Sequence, residues 1–248
     1  MKVLLNLILI ISFLSLAACA TTDDDTKRDD ATKTAAALYY EAKAALESED
    51  YETAIKRLES LEARFPFGKY AQQAQLDMAY AYYKYDEPES AVAAADRFIR
   101  LYPRHPKVDY AYYLKGLVKF SQGHSAFDKI SHTDPAKRDP ESARKAFLFF
   151  SQLVKRFPNS KYTPDALERL KYLRNNLARH ELYAAEYYMK LGANVAAANR
   201  AKYILVNFEK TPYTKEALKI MVKAYKNLRL TQLASDAQRV YDLNFKSQ

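Results

Sequence analysis

From residue 35 onward, apolar side chains recur at intervals of three and four, broken by short polar turns, which is the period of amphipathic helices and not of strands. One spacing then returns along the chain. Ala54 stands twelve residues before Pro66, Ala91 twelve before Pro103 and Ala146 twelve before Pro158, while Ala197 and Ala234 stand eleven before Phe208 and Phe245. The intervals between these alanines are 37, 55, 51 and 37 residues, a 37-residue unit lengthened twice, by 18 and by 14. Eight residues after Pro66, Pro103, Pro158 and Glu209 come Ala74, Ala111, Ala166 and Ala217, each opening a further apolar-periodic stretch. The pattern predicts an all-α chain, an α-solenoid of five helix-turn-helix repeats.

Capping residues agree with that register. Asp139-Pro140 and Thr163-Pro164 place an N-cap before a proline at the first helical position, and Pro88 and Pro212 are expected to open helices in the same way. The 18-residue excess lies between Gly123 and Pro140 and reads as a loop insertion, residues 124–139. The 14-residue excess lies in Asp165 to Leu191, which lacks Pro and Gly and keeps Leu167, Leu170, Leu173 and Leu177. Fourteen residues make about four turns at 3.6 per turn, so one long helix is predicted with its buried face unrotated. Laid on the tetratricopeptide pattern, Tyr82, Tyr188 and Tyr225 fall at its Tyr position, Gly116 and Gly123 at its two Gly positions, and Ala42, Ala79 and Ala185 stand in for the first glycine.

Composition narrows the class further. Hydrophobic residues make up 49% of the 248, enough for a core, while only four glycines occur, too few for the turns of an all-β fold or for a phosphate-cradling loop. The N-terminus is separate from the repeats. Lys2 followed by the apolar Val3 to Leu16 makes a secretory signal, residues 1–18, too short to span a bilayer. Leu16-Ala17-Ala18-Cys19 then resembles the lipobox of bacterial lipoproteins, and Cys19 is the only cysteine. A thiol acylated there leaves no sulfur for a disulfide or a metal, and several acyl chains at ~0.8 kcal/mol per CH₂ give a stable anchor. Residues 19–34 form a polar tether, and Ala20 after the cysteine resembles lipoproteins forwarded to the outer membrane. The whole chain carries +9, and setting aside residues 1–34, with four of the 39 basic and five of the 30 acidic residues, leaves +10 on the body. In an exported protein that charge points to acidic protein surfaces or anionic headgroups, with no nucleic acid as partner.

Catalytic signals are few. No Gly-rich phosphate loop, His-Glu-x-x-His, cysteine pair or nucleophile elbow occurs. His124 and His132 with Asp128 and Asp134 are the residues that could approach a metal, but their Pro-bounded setting reads better as a solvated insertion. His105 and His180 read as structural, and Asp86-Glu87 as an exposed turn. No enzyme and no cofactor beyond the lipid on Cys19 are expected.

The residues nevertheless go beyond a generic repeat. Arg64-Phe65-Pro66-Phe67-Gly68-x-Tyr70-Ala71-x-Gln73-Ala74-Gln75-Leu76, Asp96-Arg97-Phe98-Ile99-Arg100-Leu101-x-Pro103-x-His105-Pro106, Arg138-Asp139-Pro140 and Ala185-Glu186-Tyr187-Tyr188 resemble the BamD family. These are lipoproteins of the outer-membrane β-barrel assembly machinery, and the likeness runs from Cys19 nearly to the C-terminus. It implies a scaffold lipid-anchored to the periplasmic face of the outer membrane. The scaffold would bind the periplasmic POTRA region of BamA and small lipoproteins such as BamC and BamE, and would receive unfolded outer-membrane β-barrel proteins. Residues 35–123 would form the client-binding half and residues 140–248 the BamA-binding half. Arg200 matches a family arginine that pairs with an acidic residue of BamA; read from its own helix alone, it is a solvated surface charge. The repeat register turns Tyr82, Tyr188 and Tyr225 between helices, and it turns Tyr39, Tyr80, Tyr83, Tyr110 and Tyr113, with Lys43 and Lys84 beside them, into a groove. There the aromatic C-terminal strand of a client would lie. The other reading of the chain is a tetratricopeptide lipoprotein that coordinates cell-wall proteins.

Overall fold

The computed structural model describes residues 33–122 and 134–246, and every regular element in them is helical. Ten α-helices follow one another: α1 Ala35–Glu47, α2 Tyr51–Arg64, α3 Lys69–Lys84, α4 Pro88–Leu101, α5 Val108–Gln122, α6 Glu141–Arg156, α7 Thr163–Lys190, α8 Asn194–Asn207, α9 Thr214–Asn227 and α10 Thr231–Phe245. They make the five predicted helix pairs. The repeat alanines mark where the pairs close: Ala54, Ala91, Ala146, Ala197 and Ala234, and also Ala74, Ala111, Ala166 and Ala217, are all buried.

The turns repeat as the helices do. Asp50, Glu87, Ala193 and Leu230 each donate their N–H to the carbonyl five residues back, on Ala45, Tyr82, Tyr188 and Tyr225. The residue before each donor, Glu49, Asp86, Gly192 or Arg229, has φ between 59° and 74°. This is the left-handed helix end that reverses the chain within four of the five pairs, all but α5 and α6. Between pairs the helix stops differently. Phe65, Phe157 and Phe208 leave α2, α6 and α8 at φ −129°, −132° and −130°, each donating to the carbonyl four residues back. Pro66 and Pro158 hold the preceding residue out of helical geometry. Pro212 departs from expectation: it lies in the turn before α9, which begins two residues later at Thr214.

The chain divides into two compact units, 1–98 and 99–248. The first unit's core, Leu38, Ala42, Leu58, Leu61, Ala74 and Met78, is sealed by Tyr39, Tyr70, Tyr80 and Tyr82. In the second unit Leu177, Leu182, Ala185, Ala201, Ile204, Phe208 and Ala217 join α7, α8 and α9. The insertion lies inside this second unit, since α5 and α6 pack on each other. Its residues 124–133 lie outside the described part, but its end is bound. Pro135–Lys137 form a 3-10 turn on which α7 packs, with Ala136 buried. Tyr183 donates to Asp134 at 2.5 Å, Arg179 pairs with Asp134 at 2.8 Å, and His180 Nδ1 lies 2.8 Å from the Ala136 carbonyl. The long helix agrees with the Pro- and Gly-free stretch of periodic leucines, and its 28 residues provide the edge on which the 3-10 turn packs.

Candidate functional site

Three side-chain groups hold the residues singled out in the sequence, and each is built across helices. In the first unit, α1 and α3 are gathered on Asp77. Tyr39 donates its hydroxyl to Asp77 Oδ2 at 3.1 Å, Gln73 donates to Oδ1 at 2.9 Å, and Lys43 Nζ lies 3.9 Å away. Burial first, and then the negative charge of Asp77, raise the Tyr39 pKa far above its usual value. The Tyr39 ring packs on Tyr40 and Tyr70 at 5.8 and 5.4 Å. Tyr80 also packs against the core, whereas Tyr83 is half-buried and Lys84 places its ammonium 5.6 Å from the Tyr51 ring. Tyr82 lies between α2 and α3 as its repeat position requires, and donates to Glu59 at 2.6 Å.

The second unit carries the other two groove candidates. Tyr113 stacks on Tyr162 at 4.8 Å, and Tyr110 lies 5.4 Å from the same ring. The Tyr113 hydroxyl donates to Asp165 at 2.7 Å, and Arg169 binds the same carboxylate at 2.6 Å. Burial and the Asp165 carboxylate push Tyr113 up to about 12. Desolvation acts to raise Asp165, but the bonds from Arg169 and Tyr113 outweigh it and hold the carboxyl below its usual range. Five groove tyrosines were expected. Tyr39 and Tyr80 pack against a core, and the hydroxyls of Tyr39 and Tyr113 are tied to carboxylates, the largely buried Asp77 and the exposed Asp165.

Arg200 is engaged within the chain and is not a simple solvated charge. It donates from Nη1 to Glu181 Oε2 at 2.8 Å, and Arg144 donates to the other carboxylate oxygen at 2.7 Å. Glu181 is 1% exposed, although the Arg200 side chain remains 45% exposed. The bond from Arg200 to Glu181 raises the already high pKa of the guanidinium. Residue-type searching missed Glu181 and Asp77. The signal for Glu181 was there: it sits four residues from both Leu177 and Ala185 on the buried stripe of α7, where a carboxylate needs a partner.

Nothing in the described residues offers reaction chemistry. No group of three or more His, Cys, Asp or Glu there could hold a metal, and Asp134 is taken up by Tyr183 and Arg179. Cys19, His124, Asp128 and His132 lie outside the described residues. No helix among the described residues is long and apolar enough to cross a membrane. A hollow of about 240 Å³ beside the 3-10 turn is lined by Ala136, Arg138, Ser142, Leu173, Leu177 and His180, and the His180 Nδ1 lies 2.8 Å from the Ala136 carbonyl.

The fold defines a protein built of helical repeats. The family model described as "YfiO: Outer membrane lipoprotein" matches residues 31–240, and the chain belongs to that family. It is 47% identical over 234 residues to "Outer membrane protein assembly factor BamD" of Neisseria gonorrhoeae, covering 94% of this chain and 88% of the relative. To the protein of the same name from Vibrio cholerae it is 39% identical, covering 84% and 86%. Among solved structures it is similar to the MamA protein, with a TM-score of 0.41 at 14% identity over 84% of this chain and 88% of that one. The family is one of outer membrane lipoproteins, and these two relatives are named as assembly factors and not as enzymes.

Proposed function

We propose that this chain is an outer-membrane protein assembly factor of the BamD kind. It is a scaffold lipidated at Cys19 on the periplasmic face, binding BamA and receiving the C-terminal strands of unfolded barrel proteins. BamC- and BamE-like lipoproteins complete the complex. The observation that carries this reading is the 47% identity to a named assembly factor across 94% of the chain, which spans both compact units. Arg200 supports the BamA contact. Glu181 fixes one edge of its guanidinium while 45% of the side chain stays open, and a guanidinium has five donors, so a second carboxylate can bind without reordering the side chain. For clients, Tyr39, Tyr80, Tyr83, Tyr110 and Tyr113 offer rigid aromatic faces, with Lys43 and Lys84 supplying charge for a terminal carboxylate.

Glu181 also sets the right control for the test. Arg144→Ala, like Arg200→Ala, removes one of the two arginines that donate to Glu181. Binding of each variant to the BamA periplasmic region should therefore separate recognition from stability. Arg200→Ala is expected to weaken binding at least tenfold, about 1.4 kcal/mol, with Arg144→Ala near wild type. Equal losses in the two variants would mean that the effect runs through Glu181, and the Arg200 contact would be rejected.

A further inference from the structure

Among the described residues, Phe67 is the most exposed large apolar side chain, at 88%. It lies in the turn between α2 and α3, where Pro66, Gly68 and Lys69 are exposed as well, so the turn protrudes. Cations and aromatics alternate around it. The Arg64 guanidinium lies 5.0 Å from the Phe65 ring, and the Lys69 ammonium 4.9 Å from the Tyr70 ring. Tyr70 in turn meets Tyr40 edge-on at 6.2 Å, and Tyr40 is 63% exposed. Arg64 also donates to the Lys33 backbone carbonyl at 3.1 Å. Lys33 begins the described fold, and this bond holds its carbonyl against the base of the turn. The nearby acid, Glu41, is occupied by Lys33 at 3.0 Å and Arg57 at 3.3 Å.

We propose that the Phe65–Tyr70 turn, led by Phe67, is an interfacial contact that enters the phospholipid headgroup layer of the leaflet holding the Cys19 lipid. The proposal rests on the reading that Cys19 is lipidated. Whatever its conformation, the chain from Cys19 to Lys33 spans at most roughly 50 Å, so the leaflet is always within reach of the fold's first residue. An exposed aromatic flanked by Lys and Arg suits the zone where apolar surface meets anionic headgroups. A protruding turn fits a deformable lipid surface, whereas an extended peptide needs a groove or a sheet edge. One turn is too weak to hold a protein on a membrane alone. Tethering raises its local concentration at the bilayer, and a weak second contact then becomes populated.

The chain contains no tryptophan, so Phe67→Trp supplies a single fluorophore. Tyr85→Trp is the comparator: Tyr85 is 44% exposed and caps the far end of the 16-residue α3, about 24 Å from its start. Each full-length lipoprotein is reconstituted in vesicles of phosphatidylethanolamine and phosphatidylglycerol, with and without brominated acyl chains. Phe67→Trp should emit at shorter wavelength and be quenched by bromine several-fold more than Tyr85→Trp. Equal quenching, or an unquenched Phe67→Trp in a chain that floats with vesicles and is lipidated by mass spectrometry, overturns the proposal alone. A blue shift that appears only when an unfolded barrel protein is added also overturns it and assigns the turn to protein docking. An unmodified Cys19 with no flotation removes the anchor reading and this proposal together.

Discussion

Glu181 places a carboxylate on the apolar stripe of α7, between Leu177 and Ala185, and two arginines from α6 and α8 answer it. Neither arginine is essential alone, because the other still neutralises the charge. Arg144→Ala or Arg200→Ala should each cost about 1 kcal/mol, since both guanidinium groups are roughly half exposed and screened. Removing both strands the buried carboxylate, and urea unfolding should show a loss of about 3–5 kcal/mol, more than the two single losses added. Tyr113 makes a second prediction at this scale. Its pKa is raised to about 12 in the fold, above the ordinary value of ~10 for an unfolded chain. The stabilisation it contributes is complete below pH ~10 and is lost as pH rises through ~12. Tyr113→Phe should therefore flatten the alkaline fall in unfolding free energy, at a cost near neutrality of about 1 kcal/mol for the lost bond to Asp165. Denaturant titrations between pH ~9 and ~12 check both parts. Tyr39 and Tyr82, shifted the same way in the first unit, leave a residual slope.

Between helices, close approach sets the terms. Gly116 of α5 faces the Phe150 ring of α6, and a Cβ at that position would collide with it. Alanine is the better helix former by about 1 kcal/mol, yet overpacking costs about 1–3 kcal/mol, so Gly116→Ala should lower the unfolding midpoint. Adding Phe150→Leu should give a double variant less unstable than the two single effects summed. The Gly116 position was legible in the sequence because it falls on the repeat register, as do the buried Ala42, Ala79 and Ala185 at equivalent places. Helix pairs, turns and the lengthened α7 were legible for the same reason: local spacing dictates them. Asp134 was not, because its partners Arg179 and Tyr183 lie far along the chain and only the fold brings them to the 3-10 turn. The surroundings of the tyrosines assigned to a groove were half legible. Helical register gives the face of Tyr39, but the Asp77 carboxylate that takes its hydroxyl belongs to another helix.

At the scale of the whole molecule, the proposed lipidation of Cys19 makes the folded body and the membrane attachment energetically separate. Among the described residues the first unit's core begins at Leu38. Cys19→Ala should leave helical content and the unfolding midpoint unchanged while moving the chain from the membrane fraction to the soluble periplasm. The forces involved respond differently to salt. Acyl chains anchor through the burial of CH₂ groups at ~0.8 kcal/mol each, which ions do not screen. Attraction of the +10 body to anionic headgroups is screened within about 8 Å at physiological ionic strength. Wild type should therefore stay on membranes through a high-salt wash, and any Cys19→Ala chain that still sediments with them should be released by it. Wild type lost to the wash would place the attachment in charge or in partner proteins. A Cys19→Ala chain that resists the wash would require an apolar contact of the fold itself, strong enough to hold without a lipid.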